Sequence, residues 1–299
     1  MERYNTLKNY YFKKYGEKVK KISVDASFTC PNRDGNKGIG GCIYCNVSSF
    51  VHVPDGDIKK QATMQIKKYK KKGINKYSVY FQSYSNTYGS INTIIKTIDE
   101  ALVSDDIVEI AIGTRADVVE NEKLLAIKEK YSDYDVVFEL GLQSIFDKTL
   151  KYINRGHTFY DFEDAVNRLK DLNFKVCAHV IFGLPFETKD MMLETVKYLA
   201  FKRIDFVKFH HLHIVKDTEL EHIYKKGEIK LIDEDEYLYL LSESIKILPK
   251  QTVISRLVGD APKKITVAPN WPASKVEFIN KFHKLLESYD IIQGANYKS

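Results

Sequence analysis

The stretch Glu109-Ile-Ala-Ile-Gly113-Thr-Arg115-Ala-Asp117 decides the fold class of this 299-residue chain. Alternate residues of a strand point to opposite faces of the sheet, so one face carries charged and small residues and the other carries isoleucine. A parallel strand covered by helices on both faces should instead be apolar throughout. A strand with one polar face is typical of a barrel or partial barrel that encloses a polar ligand.

The same alternation recurs in two later segments, each with one apolar face and one face that mixes in polar and small residues. The second face comprises Val137, Glu139, Gly141 and Gln143 in one segment and Cys177, His179, Ile181 and Gly183 in the other. The polar groups lie toward the C-terminal ends of the predicted strands, where barrels of this kind place their sites.

Strand-like and helix-like segments alternate from about residue 20 to residue 215. The predicted strands are residues 22–28, 77–82, 107–112, 136–140, 174–182 and 206–215, and the predicted helices are residues 58–72, 91–103, 120–130, 159–172 and 189–201. Repeated βαβ units demand a parallel sheet. We therefore predict an α/β fold, a partial (β/α)6 TIM-like barrel with short N- and C-terminal extensions. The extension over residues 216–299, with a strand near Val253 and a helix at 274–286, is expected to belong to one domain spanning residues 1–299.

Composition excludes two classes of protein. Hydrophobic residues make up 44% and charged residues 29% of the chain, so disorder of the whole chain is excluded. The longest apolar runs, such as residues 176–184, are far shorter than the roughly 20 residues that cross a bilayer, so we expect no membrane association. No apolar segment follows the first residues, so we expect a cytoplasmic protein with reduced cysteines.

Positive charge is concentrated in the first quarter of the chain. The net charge is +6, but residues 1–76 hold 17 Lys and Arg against 6 Asp and Glu. Tyrosines are interleaved with these lysines, and this combination binds phosphate backbones and stacks on bases. Two interpretations stay open, a solvated lysine-rich surface and a nucleic-acid partner. The candidate contacts for a nucleic acid are Lys13, Lys14, Lys70, Lys71 and Lys72.

Three cysteines follow the first predicted strand in Cys30-Pro-Asn-Arg-Asp-Gly-Asn-Lys-Gly-Ile-Gly-Gly-Cys42-Ile-Tyr-Cys45. Three thiolates in one loop indicate a soft metal or an iron–sulfur cluster. A structural zinc site has four ligands, and the fourth would be His52 or a remote residue. Three cysteines without a local fourth ligand better suit a 4Fe–4S cluster with one open iron. Cys177 is interpreted as a buried thiol of the barrel wall.

This loop, together with Asn154-Arg-Gly-His-Thr158, Gly113-Thr-Arg115 and Glu139-Leu-Gly-Leu-Gln-Ser144, resembles the radical S-adenosylmethionine (SAM) enzymes. The resemblance covers residues 3–290 and is specifically to the YhcC/YtqA-like branch of the elongator-type subgroup. The common family spacing is C-x3-C-x2-C, and the gap of eleven residues here marks the subgroup. The resemblance implies a 4Fe–4S cluster on Cys30, Cys42 and Cys45 whose open iron binds SAM. It also implies reductive cleavage of SAM to a 5′-deoxyadenosyl radical.

The resemblance further implies which residues contact SAM. Tyr44 is expected beside the adenine and Arg115 at the SAM carboxylate. The family usually has a Gly-Gly-Glu-like motif at the end of the second strand, and Asn86 and Thr87 stand there instead. The remaining expected SAM contacts are Glu139, Gln143, Arg155, His179 and Gly183.

Structural interpretations of some of these residues stay open. Arg115 and Glu139 can form an internal ion pair that sets the barrel register. Arg155 and His157 can cap the helix that follows them, with Thr158 or Asp161 as its N-cap.

Three histidines end the last predicted strand of the barrel: His210, His211 and His213. His210 and His211 are adjacent and point to opposite faces, so a shared metal is not expected. We expect one inward-facing histidine, His210, to line the substrate cavity.

The resemblance leads to a prediction of function, a radical SAM enzyme that modifies a tRNA wobble uridine. The elongator catalytic subunit also carries an acetyltransferase domain, and no segment here is long enough to be one. We therefore expect trimming of an existing side chain on carbon 5, specifically carboxymethylaminomethyl to aminomethyl. A one-electron reductant such as flavodoxin or ferredoxin is the expected protein partner. The alternatives are radical chemistry on a small metabolite or peptide, and a zinc-stabilised RNA-binding module without catalysis.

Overall fold

The computed structural model describes residues 2–46, 53–259, 261–271 and 274–298, so His52 lies outside the described residues. The helices are α1 (Leu7–Tyr15), α2 (Ile58–Lys70), α3 (Ile91–Ala101), α4 (Asn121–Lys130), α5 (Asp147–Tyr152), α6 (Phe159–Asp171), α7 (Lys189–Phe201), α8 (Glu219–Lys225), α9 (Glu234–Ile247) and α10 (Lys275–Ser288). The strands are β1 (Val19–Val24), β2 (Lys76–Phe81), β3 (Ile107–Thr114), β4 (Asp135–Gln143), β5 (Lys175–Phe182), β6 (Phe206–His211), β7 (Ile214–Val215), β8 (Val253–Arg256) and β9 (Thr266–Ala268). Within the described ranges, no helix is long and apolar enough to cross a lipid bilayer.

Seven strands form one sheet in the order β1-β2-β3-β4-β5-β6-β8. Every neighbouring pair in this sheet is parallel. The sheet is curled into a half barrel with helices around it, which confirms the predicted α/β partial TIM-like barrel. β1 and β8 are the edge strands, so the barrel is open between them. β7 and β9 form a separate antiparallel pair.

The two faces predicted for the strands have different surroundings. Ile110, Phe138 and Val176 belong to the buried apolar core, where they are packed with helix residues such as Leu169. Glu139, which alternates with these residues along the strands, faces the interior of the half barrel and lines a cavity there. The alternation in the sequence therefore separates the core from the site.

Helix α1 closes the N-terminal end of the barrel. The hydroxyl of Tyr11 donates a hydrogen bond of 2.6 Å to the buried carboxylate of Glu109. Lys14 forms an ion pair with Asp135 at the start of β4. Because α1 and these contacts occupy the N-terminal end, the open end for a ligand is the C-terminal one.

The structure differs from the sequence expectations at both ends of the strand series. The first strand is Val19–Val24 and not residues 22–28, since its pairing with β2 runs from Val19 to Val24. A strand through residue 28 is also incompatible with the left-handed φ of 56° at Ser27. The strand expected at 206–215 is divided into β6 and β7, and β7 pairs with β9. The short strand expected near Val253 is part of the barrel, since β8 pairs with β6.

Candidate active site in the half barrel

A cavity of about 290 Å³ lies at the C-terminal ends of the strands. All three loop cysteines line it, together with most of the polar residues predicted from the sequence. The predicted residues in its wall are Cys30, Cys42, Cys45, Tyr44, Arg115, Glu139, Gln143, Arg155, His179 and His210. Residues distant in the sequence thus converge on one cavity.

The cysteine loop depends on two glycines that allow close contacts. A Cβ atom on Gly38 would lie 2.3 Å from Oδ1 of Asn32. Gly41 has a φ of +87°, and its Cβ would lie 2.8 Å from Nε of Arg33. The Arg33 guanidinium also donates to the carbonyl of Cys45. Glycine at these positions lets the loop fold back on itself and bring its cysteines to the same cavity.

The run from Asn154 to Thr158 packs against the cysteine loop and forms a brace with it. Nδ2 of Asn154 donates to the carbonyl of Gly41 at 2.8 Å. In return, Nδ2 of Asn32 donates to the carbonyl of Asn154 at 2.6 Å. A Cβ on Gly156 would lie 2.4 Å from Oδ1 of Asn32, so only glycine fits there without displacement. The brace therefore fixes the cysteine loop to the chain between α5 and α6.

Arg155 is a buried cation in contact with a cysteine. Its Nη1 lies 3.7 Å from Sγ of Cys42, and its Nη2 donates to the carbonyl of Gly141 at 2.8 Å. Its Nε has no hydrogen-bond partner among the described residues. The Arg155 guanidinium therefore places a positive charge directly beside one of the three loop cysteines. Thr158 is the N-cap of α6 and forms a capping box with Asp161, which confirms that part of the structural interpretation, whereas Arg155 takes no part in the cap.

The donor set of the loop fits a cluster better than a single metal ion. Among the described residues, the side chains whose ligand atoms come close enough to share one ion are Glu139, Cys177 and His179, and not the loop cysteines. A four-iron cluster is wider than one ion, so its thiolates stand further apart. In the protein without metal, burial raises the pKa of the Cys45 thiol.

Glu139 is the centre of an ion-pair group inside the barrel. Its Oε1 accepts from Nζ of Lys21 at 2.6 Å, and its Oε2 accepts from Lys208 and from Nε2 of His179 at 2.9 Å. Burial acts in the opposite direction, but the charges of Lys208 and Lys21 hold the pKa of Glu139 well below its usual range. These two ammonium groups already neutralise the carboxylate, so the neighbouring Cys177 is not assigned to a metal site.

Arg115 pairs with Asp117 and not with Glu139, so the open alternative of an internal Arg115–Glu139 ion pair does not hold. Nε and Nη2 of Arg115 lie 2.9 and 3.0 Å from the two carboxylate oxygens of Asp117. Lys37 adds a third contact at 2.9 Å. Burial opposes ionisation of Asp117, but Arg115 and Lys37 lower its pKa to about 2. The fixed pair holds the Arg115 guanidinium at the cavity wall.

Three residues predicted to contact SAM do not line the cavity. Nδ2 of Asn86 donates to three backbone carbonyl groups near the ends of β2 and β3. The hydroxyl of Thr87 is hydrogen-bonded to that of Thr114 at 2.6 Å. The backbone N–H of Gly183 lies 3.0 Å from Sδ of Met192. In this structure their contacts shape the strand ends, and a contact with SAM stays a prediction.

All three histidines at the end of β6 contribute to the cavity wall, which corrects the expectation of a single one. His213 lies in the short link between β6 and β7, and it lines the cavity together with His210 and His211. The His210 ring lies 5.8 Å from that of His179, and its Nε2 has no partner among the described residues. Burial and then the charge of Arg256 lower the pKa of His210 well below its usual range. His210 is therefore a neutral imidazole with one free ring nitrogen.

The lysines predicted to contact nucleic acid lie at the opposite end of the barrel. They are Lys13 and Lys14 on α1, and Lys70, Lys71 and Lys72 at the end of α2. The six residues of β2 separate the latter group from the cavity by about 20 Å. A nucleotide in the cavity does not reach these lysines, and their expected contact with tRNA phosphates away from the cavity stays a prediction. Only a distant part of an RNA could touch them.

Sequence reasoning missed several cations of the cavity. Lys208 and His210 alternate along β6 and share its polar face, so strand parity could have found Lys208. Lys21 lies on β1 and binds Glu139 across the barrel, which no local pattern indicates. Arg256 was missed because β8 was not assigned to the barrel.

His157 is predicted to make folding sensitive to acid. Burial, and then the charges of Arg155 and Arg115, lower its pKa to about 3. Below pH 6.5 the unfolded chain binds a proton that folded His157 does not, so stability decreases as the pH falls toward 3. This group contributes up to about 1.4 kcal/mol per pH unit. Urea denaturation at several pH values from 7 to 5 measures the free energy of unfolding. This free energy should fall less steeply with decreasing pH in His157→Gln than in the wild type. An equal dependence on pH in the two proteins would contradict the assignment.

Comparison with known proteins identifies the family. The Radical SAM superfamily profile matches residues 30–199, and the Radical SAM C-terminal domain profile matches residues 204–288. The chain belongs to the radical SAM superfamily. Members of this family use a 4Fe–4S cluster and SAM, which confirms the predicted cofactors.

Full-length relatives place this radical SAM protein in the predicted branch. It is 32% identical over 301 residues to YtqA of Bacillus subtilis (strain 168), covering 99% of this chain and 94% of YtqA. It is 34% identical over 286 residues to YhcC of Escherichia coli (strain K12), covering 95% of this chain and 92% of YhcC. The resemblance to the YhcC/YtqA-like family is therefore confirmed.

Partial matches connect the radical SAM chain to elongator-type proteins. It is 34% identical over 133 residues to the tRNA uridine(34) acetyltransferase of Methanocaldococcus jannaschii, covering 43% of this chain and 24% of that protein. The archaeal Methanocaldococcus infernus Elp3 structure superposes with a TM-score of 0.70 at 22% identity, covering 92% of this chain and 64% of that one. The structural likeness shows the shared fold, and the sequence match supports the elongator-type subgroup.

Proposed function

We propose that this radical SAM protein modifies the side chain on carbon 5 of a tRNA wobble uridine. The observation that carries the proposal is the 34% identity over 133 residues to a protein named tRNA uridine(34) acetyltransferase. The cavity at the C-terminal strand ends is walled by the cysteine loop and by charged side chains such as Arg115, Glu139 and Arg155, which supports a polar substrate held beside the cysteines. A base must leave its stack to enter such a cavity.

Cys30, Cys42 and Cys45 would hold the cluster, and its open iron would hold SAM. When bound, these cofactors supply a 5′-deoxyadenosyl radical that removes a hydrogen atom from the substrate. The protein holds the loop through its brace, places the Arg155 guanidinium beside Cys42, and keeps the reaction in a walled cavity. A flavodoxin or ferredoxin would provide the single electron that starts the reaction.

The reaction proposed is removal of the carboxymethyl group from carboxymethylaminomethyluridine. A hydrogen atom leaves the carbon between the amine and the carboxylate and ends in 5′-deoxyadenosine. Loss of one electron to the electron carrier and of the amine proton gives an imine. Water then divides the imine into aminomethyluridine and glyoxylate. The amine proton passes to water, and the neutral His210, whose Nε2 has no partner among the described residues, would form a hydrogen bond with the nucleoside.

The test of the proposal combines nucleoside analysis with product analysis. Cells that lack the protein should accumulate carboxymethylaminomethyluridine in tRNA, and mass spectrometry of tRNA nucleosides measures this. Purified anaerobic protein given that tRNA, SAM and a reductant should form 5′-deoxyadenosine and glyoxylate in equal amounts. Unchanged tRNA nucleosides, with SAM cleavage stimulated by a metabolite or peptide, would overturn the tRNA substrate. A colourless protein that contains zinc and no iron would contradict the proposal of radical SAM catalysis and support the alternative of a zinc-stabilised RNA-binding module.

Arg115 is proposed to bind the SAM carboxylate from the cavity wall. Arg115→Gln should weaken SAM binding by about ten- to a hundredfold, because a charge-assisted hydrogen bond is worth about 1.5–3 kcal/mol. The visible absorption of the cluster should be unchanged. Anaerobic equilibrium dialysis with labelled SAM measures the affinity.

Arg168→Gln is the matched control for this prediction. Arg168 also pairs with a carboxylate, that of Asp164, and donates to the carbonyl of Val119, but it does not line the cavity. The control should bind SAM as wild type does. Equal affinities in both variants would give Arg115 a purely structural role.

A further inference from the structure

A second cavity of about 410 Å³ opens between the edge strands β1 and β8. Its wall includes Lys21 from β1, Lys208 from β6, Arg256 from β8 and Lys275 from α10. Tyr80, Gln82 and Arg256 line both this side cavity and the cavity that holds the cysteines. The two cavities therefore adjoin, and Arg256 stands where they meet.

Positive charge exceeds negative charge at this junction. Lys21 and Lys208 share the single carboxylate of Glu139. Among the described residues, no carboxylate lies within 4.0 Å of the Arg256 guanidinium. Arg256 also contributes to the lowered pKa of His179 and of Lys208, for which burial is the largest cause. Its charge thus extends into the interior without a counter-ion from the described part of the chain.

We propose that Arg256 binds an oxyanion of the substrate, a carboxylate or a phosphate, at the junction of the two cavities. A guanidinium donates two parallel hydrogen bonds to either group, which orients the ligand as well as holding it. A partly buried cation without a partner is costly, and an incoming anion removes this cost. The gap between β1 and β8 is the route by which the anion arrives.

The inference rests on the proposed function, because it names the group of a uridine substrate that the site recognises. In carboxymethylaminomethyluridine the carboxylate lies two bonds from the amine whose bond is broken. A carboxylate bound to Arg256 would turn the carbon between the amine and the carboxylate toward the cavity that the cysteines line. A phosphate on Arg256 would instead hold the nucleotide backbone at the side opening. Both sources use the same oxyanion contact, and the probes below separate them.

The experiment measures dissociation constants for four probes by calorimetry on the anaerobic cluster-loaded protein. The probes are 5-carboxymethylaminomethyluridine, its methyl ester, uridine 5′-monophosphate and uridine. In the wild type, the acid should bind at least tenfold more tightly than the ester if the carboxylate is recognised. The monophosphate should bind at least tenfold more tightly than uridine if the phosphate is recognised. Arg256→Gln should abolish whichever preference is present.

Two further variants keep the test decisive. Arg256→Lys keeps the positive charge but loses the two parallel donors, so it should show a binding preference between those of the wild type and Arg256→Gln. If Arg256→Gln does not fold, the reduced preference of Arg256→Lys still tests the proposal. Arg203→Gln removes an exposed guanidinium at the N-terminal end of the barrel, and it should keep the full preference. Absence of both preferences in the wild type would overturn the proposal, as would preferences that Arg256→Gln leaves intact.

The failure of this inference and the failure of the proposed function give different results. If tRNA is not the substrate, nucleosides from cells lacking the protein are unchanged, yet Arg256→Gln still removes anion preference. If tRNA is the substrate and Arg256 does not bind an oxyanion, the nucleosides change and the binding preferences are independent of Arg256.

Discussion

Alanine at Cys30, Cys42 or Cys45 is expected to abolish binding of the 4Fe–4S cluster, whereas Cys177→Ala should leave it intact. The three loop cysteines line one cavity, and each variant leaves only two thiolates for a site that already has one open iron. Cys177 is buried elsewhere, packed with Val137, Phe206 and Val253. Burial raises the pKa of the Cys177 thiol to about 12, which keeps it protonated. Iron and sulfide analysis after anaerobic reconstitution measures the outcome.

Cys177→Ala is the matched control, since it removes one thiol from the same chain. Loss of the cluster in this variant, with retention in one of the other three, would show that the ligands are assigned incorrectly. Secondary structure by circular dichroism should be the same in all four variants, because the brace between the loop and residues 154–156 needs no metal.

Glu139→Gln is expected to reduce the free energy of unfolding by about 3–5 kcal/mol, because it leaves buried charge without its partner. Lys208 and Lys21 both contact this carboxylate, and Lys208 is almost entirely buried. Urea denaturation at pH 7 measures the change. Burial lowers the pKa of Lys208 to about 8 although the charge of Glu139 raises it, so loss of Glu139 lowers this pKa further.

Glu109→Gln is the control for buried carboxylates in the same barrel. Glu109 accepts hydrogen bonds from the hydroxyls of Tyr11 and Ser78, at 2.6 and 2.7 Å, and forms no ion pair with a described residue. Its replacement should cost about 1–3 kcal/mol, the usual range for an unsatisfied buried group. Equal losses in the free energy of unfolding in Glu139→Gln and Glu109→Gln would mean that the negative charge of Glu139 does not stabilise the fold.

The pH dependence of the Glu139 effect has a definite sign. The pKa of Glu139 is well below its ordinary value of 4.5 in the folded protein. Its contribution to stability is therefore complete above about pH 4.5 and is lost as the pH falls through the lower folded pKa. The difference in the free energy of unfolding between wild type and Glu139→Gln should therefore be constant above about pH 4.5 and should shrink only below that pH.

The sequence was sufficient for the half barrel because each strand signals its own faces. Ile110, Phe138 and Val176 alternate with the residues that line the interior, and a period of two is visible without knowledge of neighbours. Alternation within a strand does not place β8 in the barrel, because this strand has only four residues. Only its pairing with β6 shows that it belongs to the sheet.

The partners of the charged residues were harder to predict than the residues themselves. Glu139 was found from its face, but its partners Lys21 and Lys208 lie 118 and 69 residues away. Curling of the sheet brings β1, β4 and β6 together across the interior, and this closure has no local signature. Arg115 was found too, but its partner is Asp117, two residues away, and not Glu139.

The brace described between the cysteine loop and residues 154–156 has a consequence for how the molecule opens. Asn32, Asn154 and Gly156 bind the two segments so closely that neither can unfold without releasing the other. The loop and the start of α6 therefore form one cooperative unit of local unfolding. Iron bound to the loop stabilises this unit by mass action, because the opened form has lost the site. Backbone amides around residue 155 should then exchange with deuterium more slowly when the loop holds iron, although none of them is a ligand.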